Sequence, residues 1–430
     1  MKVSDLTLYN FRGIEELSLS FPEQTTAFVG ANGVGKSAVL EAVTIGLSQL
    51  IWRICSQPQK ARPIAPDDIR QGAEFSRIEI RVEELVNEPV RWAVAANRRK
   101  GVHDDELRRS HLEDLNTAVK QLDALWEHAE IEQDEPFNLP LAVYYDVNRA
   151  ALDIPMRIRE HLNNSPHEVY RDALDHGGAD FRRFFIWFRN REDHENEQRV
   201  DNPDYRNPSL EAVRRAVETF TQFTQLRIRR SPLRMTVQKN QQEFSVGQLS
   251  DGERNMLALV GDLARRLSVL NPGLANSNEG AGVVLIDEID LHLHPRWQRD
   301  VVAKLEATFP HCQFIISTHS PQVIGELRPE SVMLMRDGQL LGHAERSLGL
   351  SSAEVLDELM GTKGRNEAFQ TAIDQTDLLM GEGLYDQARA LLDSMSVQYG
   401  ELPEILRLKE SLYWFENGSD DDLKTAGADT

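Results

Sequence analysis

A glycine-rich octapeptide near the amino terminus matches the P-loop pattern, in which four residues separate a Gly from Gly-Lys-Ser, and it spans Gly30–Ser37 (GANGVGKS). A short apolar run precedes it and apolar residues of helical spacing follow it, so the order strand, turn, helix is predicted. Gly33 and Gly35 allow backbone N–H groups to turn inward around a phosphate, which also faces the positive end of the helix. The motif therefore predicts that Lys36 binds the β- and γ-phosphates of a nucleotide and that the Ser37 hydroxyl binds Mg²⁺.

The composition describes a chain long enough for two or three domains, or one large domain with insertions, and apolar enough to bury a core. Of its 430 residues 40% are hydrophobic, and its formal net charge is −21. Such an acidic balance argues against unspecific nucleic-acid binding, although local basic patches stay open. The two cysteines form no disulfide framework, no signal-peptide core is present, and no run approaches the length of a membrane span. The sequence therefore predicts a cytoplasmic protein with no membrane partner.

A pair of acidic residues follows an apolar run of the kind that forms a central parallel strand. The run is Val283–Ile286, and Asp287 and Glu288 come directly after it. In a P-loop protein the first acid at this strand end holds the Mg²⁺ shell, and the next acid can activate a water molecule. We therefore predict that Asp287 binds Mg²⁺ and that Glu288 is the catalytic base. The nearby His292 and His294 leave a separate metal site as a less favoured alternative.

Two further motifs, together with the P-loop and the acidic pair, form an ordered set of four along the chain. The first is Leu249–Glu253 (LSDGE), a Ser–Gly turn at a helix start, which makes a second anion-binding position. The second is Ser317–Ser320 (STHS), which follows the next apolar strand after Glu288. The order of the four motifs resembles the ABC-type ATPase superfamily, in its RecF, SMC and OLD branch. The resemblance implies that His319 senses the γ-phosphate and that the first motif closes over ATP held by a partner subunit, through Ser250, Gly252 and Glu253.

The amino-terminal segment Asn10–Gly13 (NFRG) resembles the first strand and turn of that branch, and Leu293–Pro295 resembles its usual sequel to the acidic pair. By the same resemblance Arg12 and Asn32 are counted among the nucleotide-binding residues. The Q-loop glutamine of the superfamily, which contacts Mg²⁺, has Gln71 as its candidate here. The implied cofactors are ATP and Mg²⁺.

We predict an α/β fold: an ABC-type P-loop ATPase head with a mixed sheet and flanking helices, a mainly helical insertion and an all-helical carboxyl-terminal region. The predicted bounds are 1–75 for the N-terminal lobe with the P-loop, 76–232 for strands and the helical insertion, 233–346 for the C-terminal lobe with the other motifs, 347–416 for the helical region, and 417–430 for a flexible tail. Prolines interrupt the insertion and no heptad pattern persists, so no long coiled coil is expected.

Three stretches resemble, more closely, the ATPase subunit of Septu-type anti-phage systems and similar retron-associated ATPases. They are Tyr144–Arg149 (YYDVNR), Phe184–Asp193 (FFIWFRNRED) and Val355–Met360 (VLDELM). The resemblance implies an ATP-binding and ATP-hydrolysing sensor of a bacterial anti-phage defence complex, which controls a partner HNH nuclease. The chain itself shows no nuclease constellation. Nucleic acid is a further implied partner, either phage DNA or a retron reverse transcriptase with its DNA product.

The runner-up function is a RecF-like DNA-repair ATPase that binds duplex DNA. The stretch Phe223–Gln242 has five basic residues and no acidic one, and it could supply the required basic surface. A charged, solvated hairpin edge gives the same pattern. A transporter ATPase is disfavoured, because the amino-terminal motif and the helical tail do not belong to that class.

The signature motif and the P-loop of one chain are expected on opposite edges of the nucleotide-binding face. We therefore predict a two-fold, head-to-tail homodimer, or a higher homo-oligomer, with composite ATP sites. The carboxyl-terminal helices carry many apolar residues, including Leu378, Leu379, Leu391, Leu392, Leu406, Leu408, Tyr413 and Trp414. They form either a docking surface for further copies or the nuclease, or a layer that caps its own ATPase core.

Overall fold

Three β-sheets organise the part of the chain that this computed structural model describes, namely residues 1–21, 24–55, 61–99, 105–132, 138–147, 169–170, 172–175, 181–362 and 365–425. The strands in chain order are β1 (Lys2–Phe11), β2 (Ile14–Ser20), β3 (Thr25–Val29), β4 (Phe75–Glu83), β5 (Val90–Asn97), β6 (Leu141–Tyr145), β7 (Thr224–Arg230), β8 (Leu233–Lys239), β9 (Gln242–Ser245), β10 (Gly282–Ile286), β11 (Cys312–Thr318), β12 (Val332–Arg336) and β13 (Gln339–His343). The sheets have the orders β2-β1-β4-β5, β13-β12-β3-β11-β10-β6 and β7-β8-β9.

Helices occupy much of the remaining described chain. In chain order they are α1 (Lys36–Cys55), α2 (Glu113–Glu132), α3 (Phe181–Asp201), α4 (Pro208–Thr221), α5 (Asp251–Leu270), α6 (Pro295–Thr308), α7 (Pro321–Ile324), α8 (Ser352–Glu354), α9 (Glu367–Gly381), α10 (Tyr385–Tyr399) and α11 (Pro403–Thr425). The first part of the predicted tail 417–430 is thus helical, and residues 426–430 lie outside the described ranges.

The six-stranded sheet positions the motifs. Its neighbours are parallel except for β12 and β13, so the carboxyl ends of β3, β6, β10, β11 and β12 meet at one edge. Strands β3, β10 and β11 are buried at every residue, as apolar strands covered on both faces must be. Open α/β sheets bind ligands at this edge. The predicted α/β fold, with a mixed sheet, flanking helices and a helical carboxyl-terminal region, is confirmed.

The chain divides into two compact units, Met1–Ser351 and Ser352–Thr430. The second unit has its own apolar core, formed between α9, α10 and α11. Leu392 and Leu408 belong to this core, whereas Tyr413 and Trp414 are 63% and 71% exposed. The predicted apolar set therefore splits into core and surface residues, and a docking role for the exposed ones stays a prediction. The finer boundaries at residues 75, 232 and 346 also stay predictions.

One helical stretch, Lys36–Ile54, is long and apolar enough to cross a membrane by length and composition alone. The expectation that no run reaches this length and composition was wrong for it. This stretch belongs to α1, follows the P-loop, and is 83% buried inside the protein, as the core helix of a soluble protein is.

Candidate active site

A cavity of about 480 Å³ lies at the carboxyl edge of the six-stranded sheet. Its wall consists of the P-loop after β3, the β1–β2 turn, residues that follow β10 and β11, and the β12–β13 turn. Cavities of roughly 300–1,000 Å³ are typical of small-molecule sites. The structure thus brings together most of the site residues expected from the sequence, namely Arg12, Asn32, Gly33, Gly35, Lys36, Ser37, Asp287, Glu288 and His319.

The P-loop has a backbone conformation that requires glycine. Gly33 and Gly35 have φ angles of +81° and +105°, which L side chains rarely adopt. Lys36 begins α1, and its Nζ donates hydrogen bonds to the carbonyl oxygens of Gly30 and Ala31 at 2.9 and 3.0 Å. Burial lowers the pKa of Lys36, against the attraction of the carboxylates that follow β10. The loop therefore holds a buried ammonium group on neutral acceptors that an anion can replace.

Ser37 is exposed in the first turn of α1, on the wall of the same cavity as Asp287. Hydroxyl and carboxylate oxygens are the hard ligands that Mg²⁺ prefers when phosphate oxygens complete its shell. These residues therefore fit a nucleotide with a bound Mg²⁺ ion.

The two acids after β10 are held by a serine on the neighbouring strand. Asp287 is 4% exposed, and its Oδ1 accepts a hydrogen bond from the Ser317 hydroxyl. The backbone N–H of Glu288 donates to the same Ser317 Oγ at 2.8 Å, and Glu288 has a φ of +48°. The backbone N–H of Asp287 donates to the Tyr145 carbonyl at 2.9 Å, which ties it to β6. The role of Ser317 was not predicted, because it depends on the pairing of β10 with β11.

His319 is placed by a third acid, Asp290, which also was not predicted. Asp290 Oδ1 accepts hydrogen bonds from the Thr318 hydroxyl and, at 3.3 Å, from the backbone N–H of His319. Burial lowers the pKa of His319, and the positive charge of Lys36 lowers it further. The imidazole is therefore neutral at pH 7, with one nitrogen able to donate a hydrogen bond and the other able to accept one.

Arg12 occupies the β1–β2 turn in the left-handed region, with a φ of +52°. Its Nε donates to Asp68 Oδ1 and its Nη2 to Glu41 Oε2, both at 2.8 Å. Burial works to lower the pKa of Arg12, but the hydrogen bonds and charges of Glu41 and Asp68 raise it. The guanidinium group is thus a fixed positive charge in the cavity wall.

The β12–β13 turn contributes Asp337 and Gly338 to the wall, which the sequence analysis did not predict. A Cβ atom on Gly338 would lie 3.1 Å from the carbonyl oxygen of Gly13, so this turn lies directly against the β1–β2 turn. An Asp-Gly pair after an apolar run was the available signal.

The signature motif does not line the cavity. Ser250 is exposed at the start of α5, where it caps the helix, and Glu253 is partly buried one turn later. Gly252 packs against the segment after β10, because a Cβ atom there would lie 2.7 Å from the His292 carbonyl oxygen. Lys239, at the end of β8, forms an ion pair with Glu253. These residues form a separate, solvent-facing group.

Gln71 is not brought to the cavity either. It is exposed in a turn that follows Ile69, which forms an isolated bridge with Phe11. The two strands next to β10 are β11 and β6, and the residue that follows β6 at the carboxyl edge is Asp146, which is 3% exposed. Asn148 and Arg149 of the stretch Tyr144–Arg149 lie outside the described residues.

The alternative metal site receives no support from the described part of the chain. No group of three or more His, Cys, Asp or Glu side chains within it could hold a metal ion. His294 instead caps α6, since its Nδ1 accepts a hydrogen bond from the Arg296 N–H at 3.3 Å.

Ion pairs largely neutralise the basic stretch Phe223–Gln242, which could have supplied a DNA-binding surface for the alternative RecF-like function. Arg227 and Arg229 on β7 both form ion pairs with Glu243 on β9. Arg230 forms ion pairs with Asp193 and with Glu192 of α3. The sheet β7-β8-β9 therefore presents paired charges rather than a continuous basic surface.

Comparison with known proteins places the chain in a family context. The family model described as "AAA domain, putative AbiEii toxin, Type IV TA system" matches residues 25–325. The "Retron Ec83 probable ATPase" of Escherichia coli is 29% identical over 473 residues, which cover 94% of this chain and 85% of that protein. The "Septu protein PtuA" of Bacillus mycoides is 30% identical over 39% of this chain and 22% of its own length. The SMC head domain from Thermotoga maritima is 17% identical over 81% of this chain and the whole of that one, with a TM-score of 0.40. The predicted resemblance to retron and Septu ATPases is confirmed.

Proposed function

From the premise that this chain belongs to the AAA-domain ATPase family matched over residues 25–325, we propose that it is the ATP-binding and ATP-hydrolysing subunit of a bacterial anti-phage defence complex. The observation that carries the proposal is that Lys36, Glu288 and His319 line one cavity. The chain is also similar, over 94% of its length, to a protein described as a probable retron ATPase. Within that complex it regulates a partner HNH nuclease in the cytoplasm.

The P-loop binds the nucleotide phosphates through backbone N–H groups and through Lys36. Its ammonium group exchanges the carbonyl oxygens of Gly30 and Ala31 for phosphate oxygens, which are stronger, charged acceptors. Ser37 and Asp287 would hold Mg²⁺, which would supply positive charge to the phosphates. Arg12, in the β1–β2 turn, and Asn32, in the P-loop, also line this cavity.

Glu288 is the residue that removes a proton from the attacking water. A carboxylate within hydrogen-bond reach of that water can act as a general base. Ser317 fixes the backbone of Glu288 and the carboxylate of Asp287 at the same time, so both acids keep their relative positions. The neutral His319, held by Asp290, is free of charge that would repel Lys36 and can donate a hydrogen bond to a γ-phosphate oxygen.

A second copy of the chain completes the site. Ser250 and Gly252 do not line the cavity of their own chain, and the Ser250 end of α5 is exposed to solvent. A two-fold dimer would place this helix start over the phosphates of the other copy, where an anion is stabilised. ATP would then link two protomers, and its hydrolysis would release them.

Phage challenge tests the proposal. The chain and its neighbouring genes are expressed in a phage-sensitive host, with Lys36→Ala and Glu288→Gln variants and with matched controls at the exposed Lys120 and Glu330. We expect the wild type and the Lys120→Ala and Glu330→Gln controls to reduce plaque counts and both site variants to lose protection. An HNH protein encoded alongside should copurify with the chain. Full protection by the Lys36→Ala variant would overturn the proposed role of ATP.

A further inference from the structure

The anion-binding groups of the signature turn are already occupied by a carboxylate of the same turn. Glu253 Oε2 accepts hydrogen bonds from the backbone N–H and the hydroxyl of Ser250, at 3.1 and 3.0 Å. Ser250 Oγ in turn accepts from the Glu253 N–H at 3.4 Å. A phosphate of a second copy needs these same Ser250 donors, so Glu253 competes with it.

The other oxygen of that carboxylate is held from outside the helix. Glu253 Oε1 forms an ion pair with Lys239 Nζ, and the Lys239 and Glu253 side chains are 37% and 14% exposed. Lys239 Nζ also lies 5.8 Å from the centroid of the Phe223 ring, which fixes the direction of the side chain. Lys239 ends β8, and β9 leads through one 3₁₀ turn, Val246–Gln248, into the signature motif. The sheet β7-β8-β9 and the signature turn are therefore joined both covalently and by this ion pair.

We infer that Lys239 is a positioning residue for the composite ATP site: it holds the Glu253 carboxylate and neutralises its charge beside the Ser250 donors, where a phosphate bound by a second copy would arrive. The inference rests on the proposed composite site. Lys239 acts through Glu253 and needs no contact with ATP.

Charge determines whether the loss of Lys239 strengthens or weakens dimer association. With Lys239 present, the carboxylate of Glu253 is neutralised beside the position where the negative phosphate arrives. Without it, the uncompensated carboxylate repels the phosphate, which opposes association. A glutamine at position 253 carries no charge, so the loss of Lys239 should then matter little.

Light scattering with a non-hydrolysable ATP analogue and Mg²⁺ tests this on the full chain. A partly exposed ion pair changes an equilibrium by up to about fivefold. Because a two-fold dimer has two composite sites, we expect Lys239→Met to weaken dimer association by about 25-fold. Lys239→Arg should stay within about twofold of wild type, because a guanidinium group also pairs with a carboxylate. The double variant Lys239→Met with Glu253→Gln should match Glu253→Gln alone.

Two controls distinguish a specific effect of Lys239 from the general loss of a lysine and from damage to the P-loop or the fold. Lys2→Met removes a lysine that pairs with Glu84 at 3.0 Å in the four-stranded sheet, and it should dimerise as wild type does. Binding of a fluorescent ATP analogue to single chains should be equal in all variants, which shows an intact P-loop and fold. If Lys239→Met dimerises as wild type does, the proposed role of Lys239 is wrong. The same holds if the double variant associates as weakly as Lys239→Met. Neither result would contradict the composite site itself. A wild-type chain that stays monomeric with the analogue would overturn the composite site as well.

Discussion

Replacing Ser317 by Ala tests whether one buried hydroxyl positions both of the acidic residues that follow β10, Asp287 and Glu288. Ser317 is fully buried, donates to Asp287 and accepts from the Glu288 backbone N–H at 2.8 Å. The substitution deletes both hydrogen bonds with little change in volume. We expect ATP to bind as before, because the P-loop is untouched, and hydrolysis to slow.

The magnitude follows from the type of hydrogen bond. A hydrogen bond to a charged acceptor contributes about 1.5–3 kcal/mol. If the transition state loses that amount, the rate of hydrolysis falls about 10- to 150-fold. The free energy of unfolding should fall by about 1–3 kcal/mol, which a domain with a typical stability of about 5–15 kcal/mol tolerates.

The assay measures steady-state ATP turnover and, separately, nucleotide affinity by fluorescence. Ser347→Ala is the matched control, because Ser347 is also buried and its hydroxyl donates to the Leu327 carbonyl at 2.6 Å, outside the cavity. It should lose stability by a similar amount and keep its turnover rate. A Ser317→Ala protein that hydrolyses ATP within twofold of wild type would refute the reasoning.

Three further predictions concern single residues. Lys36→Ala should abolish ATP binding while the far-ultraviolet circular dichroism spectrum is unchanged; retained affinity would contradict the P-loop assignment. Because burial and Lys36 lower the pKa of His319 from its ordinary value, hydrolysis should not change with the protonation of this group between pH 7 and 8, and it should fall only at a pH below that ordinary value. His319→Gln should be slower and lack this acid limb, and a wild-type pH profile in that variant would exclude His319 as its origin. Asp262→Ala should destabilise the fold by about 3–5 kcal/mol in urea denaturation, because it leaves two guanidinium groups buried without their carboxylate, those of Arg265 and Arg266. A loss under about 1 kcal/mol would contradict that estimate.

The P-loop and the acids after β10 could be predicted from the sequence because local patterns define them. A glycine-rich turn between an apolar strand and a helix has few backbone solutions, and Gly33 and Gly35 have the expected positive φ angles. The buried strands β10 and β11 could also be predicted, because each is a short, continuous apolar run.

The remaining parts of the site depend on pairings that no local pattern reveals. Ser317 contacts Asp287 because β10 and β11 are parallel neighbours, although 30 residues separate them in the chain. The turn at Asp337 reaches the cavity only because β12 pairs with β3. Gln71 was selected for its residue type, while the position beside β10 belongs to β6 and Asp146.

The ion pair between Lys239 and Glu253 could not be predicted from a local sequence pattern either. Each residue was noted in its own motif, one in a basic stretch and one in the signature, but 14 residues and a strand turn separate them. The neutralised arginines of β7 illustrate the reverse case, since a basic run in the sequence was paired with acids from other elements.

The most direct measurement of the central proposal, that ATP is held between two copies of this chain, is the mass in solution of a Glu288→Gln protein with ATP and Mg²⁺. This variant should bind ATP and hydrolyse it slowly, so light scattering should report at least twice the mass of the same protein without nucleotide. Adding Ser250→Arg to it should return the mass to the nucleotide-free value while each chain still binds ATP. If the mass with ATP equals the mass without it, or if the Ser250→Arg chain still assembles, ATP is not shared between two copies.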